Sequence, residues 1–245
     1  ETVSKLSNNT VTLSFVTVNN GTLTSTGDKT VTATEVSDNP VYLTKVFDNV
    51  NGQKVGYLVY TGFRSSYNDE LNAAFATLKA AGINELVLDL RLNGGGSVET
   101  STYLASMIDG AATTSDKFAD LKFNSKHTNE NSTYTFQDTQ NDYDASGTKT
   151  GEESINKLTT LSRLYVLTSN STASASEMII NGLKPYMSVK VIGTTTYGKN
   201  VGSITLYDSP ASDYTSQSSA NSNHKYAMQP IVFQIFNKLG ESDYT

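Results

Sequence analysis

The sequence predicts an α/β fold, and three observations carry that expectation. VGYLVY, ELVLDL, RLYVLT and SVKVIG are short apolar runs of the strand type. Between them lie segments whose apolar residues recur at helical spacing. At one strand-to-helix junction the chain turns through NGGG. Strand, helix, strand, glycine loop, helix is the order of an α/β sandwich.

The elements follow in order. TVTLSFVTV alternates and is β-branched, NNG makes a turn, and KTVTATEV resumes the strand pattern until SDNP breaks it. Residues 1–50 are therefore expected to close a small β domain, and residues 51–245 to form the main one. VGYLVY is a buried-type strand. The helix after it, SSYNDELNAAFATLKAAG, is expected to be capped by Ser66, with Leu71, Phe75 and Leu78 on one face and Gly82 ending it. ELVLDL reads as a strand covered on both faces. SVETSTYLASMI reads as a helix with Leu104 and Ile108 on one face. Residues 110–160 are polar and aperiodic, an insertion in which only KFNSKHTNENSTYTFQD suggests an edge hairpin. The α/β pattern resumes with RLYVLT, the helix SASEMIINGLK and the strand SVKVIG. VGSITLYD and KYAMQPIVFQIFNK read as later strands, separated by the polar excursion SPASDYTSQSSANSNH.

Composition excludes several functions. In 245 residues, 18 basic and 24 acidic side chains leave a formal charge of −6, which attracts neither nucleic acid nor an anionic membrane. No apolar run is long enough to span a bilayer. ETVSKLSNNT has no apolar core of a signal peptide. Cysteine is absent, which removes disulfides, thiolate catalysis and cysteine metal sites. The two histidines, His127 and His224, sit in polar, loop-like flanks, so a triad built on histidine has no good candidate. Without H-E-x-x-H, zinc hydrolysis has no basis, and no metal or cofactor is expected. Abundant Asn, Ser, Thr and Tyr suit a secreted or envelope protein.

Three motifs are decoys. GTTTYGKN, residues 193–200, opens like a phosphate-binding loop, but Asn200 stands where magnesium needs Ser or Thr, and a strand pattern follows where a helix is needed. NGGGSVET has Glu99 where a dinucleotide fold has glycine. S-D-N at 37–39, K-T-G at 149–151 and S-x-x-K from Ser154 to Lys157 have the wrong order for a penicillin-recognising enzyme. What remains is TSNSTASASEMIINGLKP. Ser174 would start a helix, either as its cap or as an exposed nucleophile beside the free N–H of Ala175. Lys199 lies one helix and one strand further on, so the two residues can meet. It is either a solvated loop lysine or, if Val191, Ile192 and Tyr197 shield it, a general base that makes histidine unnecessary.

NELVLDLRLNGGG, TASASEMIINGL and IGTTTYGKN, in this order, resemble the carboxy-terminal processing peptidases, or tail-specific proteases. The resemblance covers about residues 50–245 and implies a crotonase- or ClpP-like core. The residues before it look like the last strands of an incomplete PDZ domain. Carried over, Ser174 is the nucleophile and Lys199 the base. Ala175 and Gly95 supply the oxyanion-hole N–H groups, and Glu177 and Thr196 support the dyad. Ser203 stands where many members have Gln, and Pro185 where many have an acid. The family implies an extracytoplasmic address (periplasm, envelope or secreted) and a protein substrate held by its C-terminal tail as an added strand. The other reading is a non-catalytic peptide- or polysaccharide-binding relative.

Overall fold

The structure, a computed structural model, describes residues 10–34 and 37–244. The chain forms two compact units, residues 1–38 and 39–245. In the first, β1 (Thr10–Asn19) and β2 (Thr22–Thr32) make an antiparallel hairpin. Asn20 and Gly21 both take positive φ at its tip, as a tight two-residue turn requires. Glu35 and Val36, the end of the second expected strand, lie outside the described residues.

The second unit begins earlier than residue 51. Strand β3 (Val41–Val50) belongs to it, paired antiparallel along β4 (Gln53–Tyr60) as the edge of a five-stranded sheet. Composition shifts at Gly52, but Gly52 is only the hairpin turn, with φ +80°. After β4 come α1 (Asn68–Ala80), β5 (Glu85–Asp89), α2 (Val98–Ile108), β6 (Lys117–Phe123), β7 (Ser132–Thr135), β8 (Thr139–Tyr143), β9 (Lys149–Ser154), β10 (Arg163–Thr168), α3 (Ala175–Leu183), β11 (Ser188–Gly193), β12 (Val201–Ser203), β13 (Leu206–Tyr207), β14 (Ala227–Met228) and β15 (Ile231–Asn237). The main sheet runs β11-β10-β5-β4-β3, parallel except for β3. A second, antiparallel sheet runs β12-β15-β6-β7. Helix α3 touches α2, β11 of the first sheet, and β6 and β15 of the second.

Leu71, Phe75 and Leu78 of α1, and Leu104 and Ile108 of α2, are buried with Leu58, Leu86, Leu88 and Leu164 of the sheet. Gly82 ends α1 with φ +66°. Ser66 does not cap α1. It lies in a 3-10 turn over Ser65–Tyr67, and the helix starts only at Asn68. The acidic residues of β5 are buried because each has a guanidinium partner: Glu85 accepts from Arg163 at 2.5 Å and Asp89 from Arg91 at 2.6 Å. The segment VGSITLYD is two short strands, and Pro230 separates β14 from β15. The polar excursion between β13 and β14 holds two 3-10 turns, Ala211–Tyr214 and Gln217–Ser219.

The insertion at 110–160 is more ordered than its composition predicts. Its first hairpin, β6–β7, joins the second sheet. A second, β8–β9, forms where the sequence predicts loop, because its strands, TQNDY and KTGEES, are polar on both faces. Polar contacts with α1 hold it: Asn68 Nδ2 donates to Asn141 O (2.7 Å), and Asn72 Nδ2 to Glu153 Oε1 (2.7 Å). Here Asp69, Asp142 and Glu153 bring their carboxylates within 4.8 Å of one another. A hydrogen bond with Asp142, and then burial, push the Asp69 carboxyl up to about 6.

That shift has a sign. An unfolded aspartate titrates near about 3.9, so between there and 6 the folded chain binds the extra proton. The stabilisation is full below about pH 4 and is lost as pH rises through 6. Urea denaturation from pH 4 to 7 should show stability falling in this window. Asp69→Asn should flatten that slope.

Candidate active site

The turn after β10 is tied to the end of β5. Thr172 Oγ1 donates to Leu90 O (2.8 Å), Ser176 Oγ to Asn93 O (2.9 Å), and Ala173 N to the same carbonyl (3.2 Å). These bonds force Ser174 to φ 58°, ψ −115°, a conformation that costs a non-glycine residue roughly 1–3 kcal/mol. Ser174 therefore stands at a sharp strand-to-helix corner, half exposed. Among the described residues the N–H of Ala175, first in α3, has no acceptor, as the first turn of a helix dictates.

The glycine loop comes up against this corner. A Cβ on Gly95 would lie 2.8 Å from Ser174 Cβ and 3.0 Å from Ala175 N, and one on Gly96 would lie 2.2 Å from Phe63 O. Only glycine fits at either place. Fully buried Asn93 shapes the loop: its Nδ2 donates to Tyr60 O (3.0 Å) and its Oδ1 accepts Gly95 N–H (2.9 Å). The expected second oxyanion donor, Gly95, therefore has an acceptor already. The N–H groups of Gly94 and Gly96, which line the cleft, have none among the described residues.

Glu177 joins the two halves of the site. It is 2% exposed. Oε2 accepts Ser174 N–H (2.7 Å) and Lys199 N–H (2.9 Å); Oε1 accepts Thr196 Oγ1–H (2.6 Å) and Gly198 N–H (2.5 Å). An ionised carboxylate offers about four lone-pair sites, and all are filled. The loop GTTTYGKN thus does cradle an anion, but the anion is the chain's own carboxylate.

Ser174 and Lys199 line one cleft of about 310 Å³, together with Gly94, Gly96, Ser203 and Phe233. Lys199 is half-buried, and its ammonium has no ion pair among the described residues. The expected shields, Val191, Ile192 and Tyr197, are all exposed. The apolar lining of the cleft comes instead from Val98, Phe233 and Ile235. Neither histidine lines it: His127 pairs with Glu130 (2.6 Å) and His224 with Asp208 (3.1 Å). Sequence reasoning missed Asn93, although a polar residue at the end of an apolar strand and before three glycines was a readable signal.

The sequence profile of peptidase family S41 matches residues 54–229, well over half of the chain. The chain belongs to peptidase family S41. This S41 chain is 28% identical over 147 residues to a CtpA-like serine protease of Staphylococcus epidermidis, covering 60% of this chain and 26% of that protein. It is 30% identical over 150 residues to the chloroplastic carboxyl-terminal-processing peptidase 2 of Arabidopsis thaliana, covering 61% and 24%. A Bacteroides fragilis crystal structure described as an S41 protease superposes with TM-score 0.68 at 30% identity, covering 96% of this chain and 57% of that one. The photosystem II D1 C-terminal processing protease, at 21% identity and TM-score 0.55, shares the fold over 89% and 49%. The match thus spans about a quarter of the length of the curated relatives and about half that of the solved chains.

Ser174→Gly should be more stable than Ser174→Ala by about 1 kcal/mol in urea, because glycine accepts the corner's backbone angles. Glu177→Gln turns an NH₂ toward N–H donors. It should lower stability by about 3 kcal/mol in the same urea measurement.

Proposed function

We propose that this chain is the catalytic core of a serine endopeptidase that cleaves proteins near their C-termini, on a crotonase- or ClpP-like core. The observation that carries the reading is the shared cleft of Ser174 and Lys199 beside the unengaged N–H of Ala175. In this mechanism the neutral amine of Lys199 takes the Ser174 Oγ proton as Oγ bonds to the scissile carbonyl carbon. The proton then passes from Lys199 to the leaving amine nitrogen as the C–N bond breaks. Water attacks the resulting serine ester with the same lysine as base. Ala175 N–H holds the oxyanion, and Gly95 N–H joins it when the substrate oxygen replaces Asn93 Oδ1 as acceptor. Each such donor lowers the barrier by roughly 3 kcal/mol. Glu177 and Thr196 hold the lysine turn, and Ser203 faces the same cleft.

The substrate in this reading is a protein bound through its C-terminal tail, in a secreted, envelope or periplasmic setting, without metal or cofactor. The hairpin in residues 1–38 fits the end of a PDZ-like domain. Among the described residues no helix is long and apolar enough to cross a membrane. Peptide cleavage by the purified chain tests the assignment. Ser174→Ala and Lys199→Met should each lower kcat at least a thousandfold. Undiminished cleavage in Ser174→Ala would overturn the serine mechanism. A chain that binds peptide but never cleaves it is the non-catalytic relative.

A further inference from the structure

A second, larger cavity takes no part in that mechanism. It measures about 680 Å³, against about 310 Å³ for the Ser174–Lys199 cleft. Phe123, Ile204, Leu206, Tyr214 and Val232 give it apolar walls. A third cavity of about 320 Å³ shares Leu206 and Tyr214 with it and adds Tyr226 and Met228. One stretch of backbone borders all three in sequence order. Gly202 and Ser203 line the cleft, Ile204 and Leu206 the large cavity, and Leu206 and Tyr207 the third. The partition between the first two is a pair of touching rings, Phe233 on the cleft side and Phe123 on the other, 5.5 Å between centroids.

This row of cavities keeps large apolar side chains in water: Tyr214 is 56% exposed, Tyr226 84% and Met228 68%. Apolar surface gathered at one place marks binding. The polar rim adds a sign. His127 is held by Glu130 at 2.6 Å, and Asp213 is a second carboxylate in the lining, so an acidic side chain meets like charge. Beta-strand 12 is also the edge of its sheet, which leaves room for an extended chain to run from the cleft past Ile204.

We infer that the 680 Å³ cavity is a substrate subsite that receives one bulky apolar side chain, aromatic or large aliphatic, of the same peptide whose scissile bond lies at Ser174. The inference rests on the peptidase reading above. Residues 202–206 span roughly 13 Å when extended, which places the recognised residue about two to four positions from the cleaved bond.

The test is a set of fluorogenic peptides in which Phe, Ala or Asp is moved through each position on both sides of the bond. At one position two to four residues away, kcat/KM should favour Phe over Ala at least tenfold, with Asp poorest. Tyr214→Ala, at an exposed wall position, and Leu206→Ala should each reduce that Phe/Ala ratio below threefold. Cleavage with a flat profile, or a ratio unchanged in both variants, overturns the subsite. Fluorescence anisotropy of the same peptides on Ser174→Ala separates the two readings. A tenfold Phe preference in binding, with no cleavage by the unmodified chain, keeps the cavity as a peptide side-chain site but overturns both the peptidase and its role as a substrate subsite.

Discussion

The site depends on one buried carboxylate. Glu177 lies inside the fold with water excluded, where an unpaired charge is prohibitively costly. Its four hydrogen-bond donors come from two places far apart in the chain: the corner at Ser174, and the loop of Thr196, Gly198 and Lys199. Satisfying the charge therefore brings the two turns together. The loop gains as much as the carboxylate. It has no helix or sheet partners for these N–H groups, and inside the protein they too need an acceptor. The likeness of GTTTYGKN to a phosphate loop has a physical origin, since successive free N–H groups form an anion cradle whatever the anion is.

The second constraint is strain held in place. Ser174 keeps angles that its side chain disfavours because its neighbours are fixed independently. Ala173 and Ser176 both reach Asn93 O, and the Ser174 amide reaches Glu177. Asn93 carries the other half of the arrangement. With one side chain it fixes the glycine loop to the end of β4 and to itself, and with its carbonyl it fixes the helix corner. The close approach of Gly95 and Gly96 then follows, and so does their lack of side chains.

Much of this was legible in the sequence, for reasons that differ by element. The parallel strands announced themselves because strands buried on both faces must be apolar throughout, and the helices because a buried stripe repeats every 3.6 residues. Ser174 and Lys199 could be brought together because a strand–helix–strand excursion returns beside its start, and they do line one cleft. β8–β9 was illegible because it is held by Asn68, Asn72 and backbone carbonyls rather than by apolar alternation. The domain boundary was misplaced because a hairpin turn at Gly52 and a domain linker use the same residues. Val191, Ile192 and Tyr197 are neighbours of Lys199 in sequence but stand exposed, whereas the apolar residues that line its cleft, Val98, Phe233 and Ile235, come from other parts of the chain. No local pattern reports which side chains a fold brings from elsewhere.

The saturation of Glu177 also bears on the proposed chemistry. A carboxylate bonded to the amide of Lys199 lies one residue's reach from its ammonium, and an ion pair between them would favour the charged amine. A lysine held in that way is a poor base. With all four acceptor sites committed to Ser174, Thr196, Gly198 and the Lys199 amide, Glu177 has no lone pair left to offer, and Lys199 is among the residues that line the cleft with Ser174. The same four bonds thus set the position of the lysine's backbone. In this arrangement the acid contributes by geometry and by being fully occupied, which is a different role from that of the aspartate in a histidine triad.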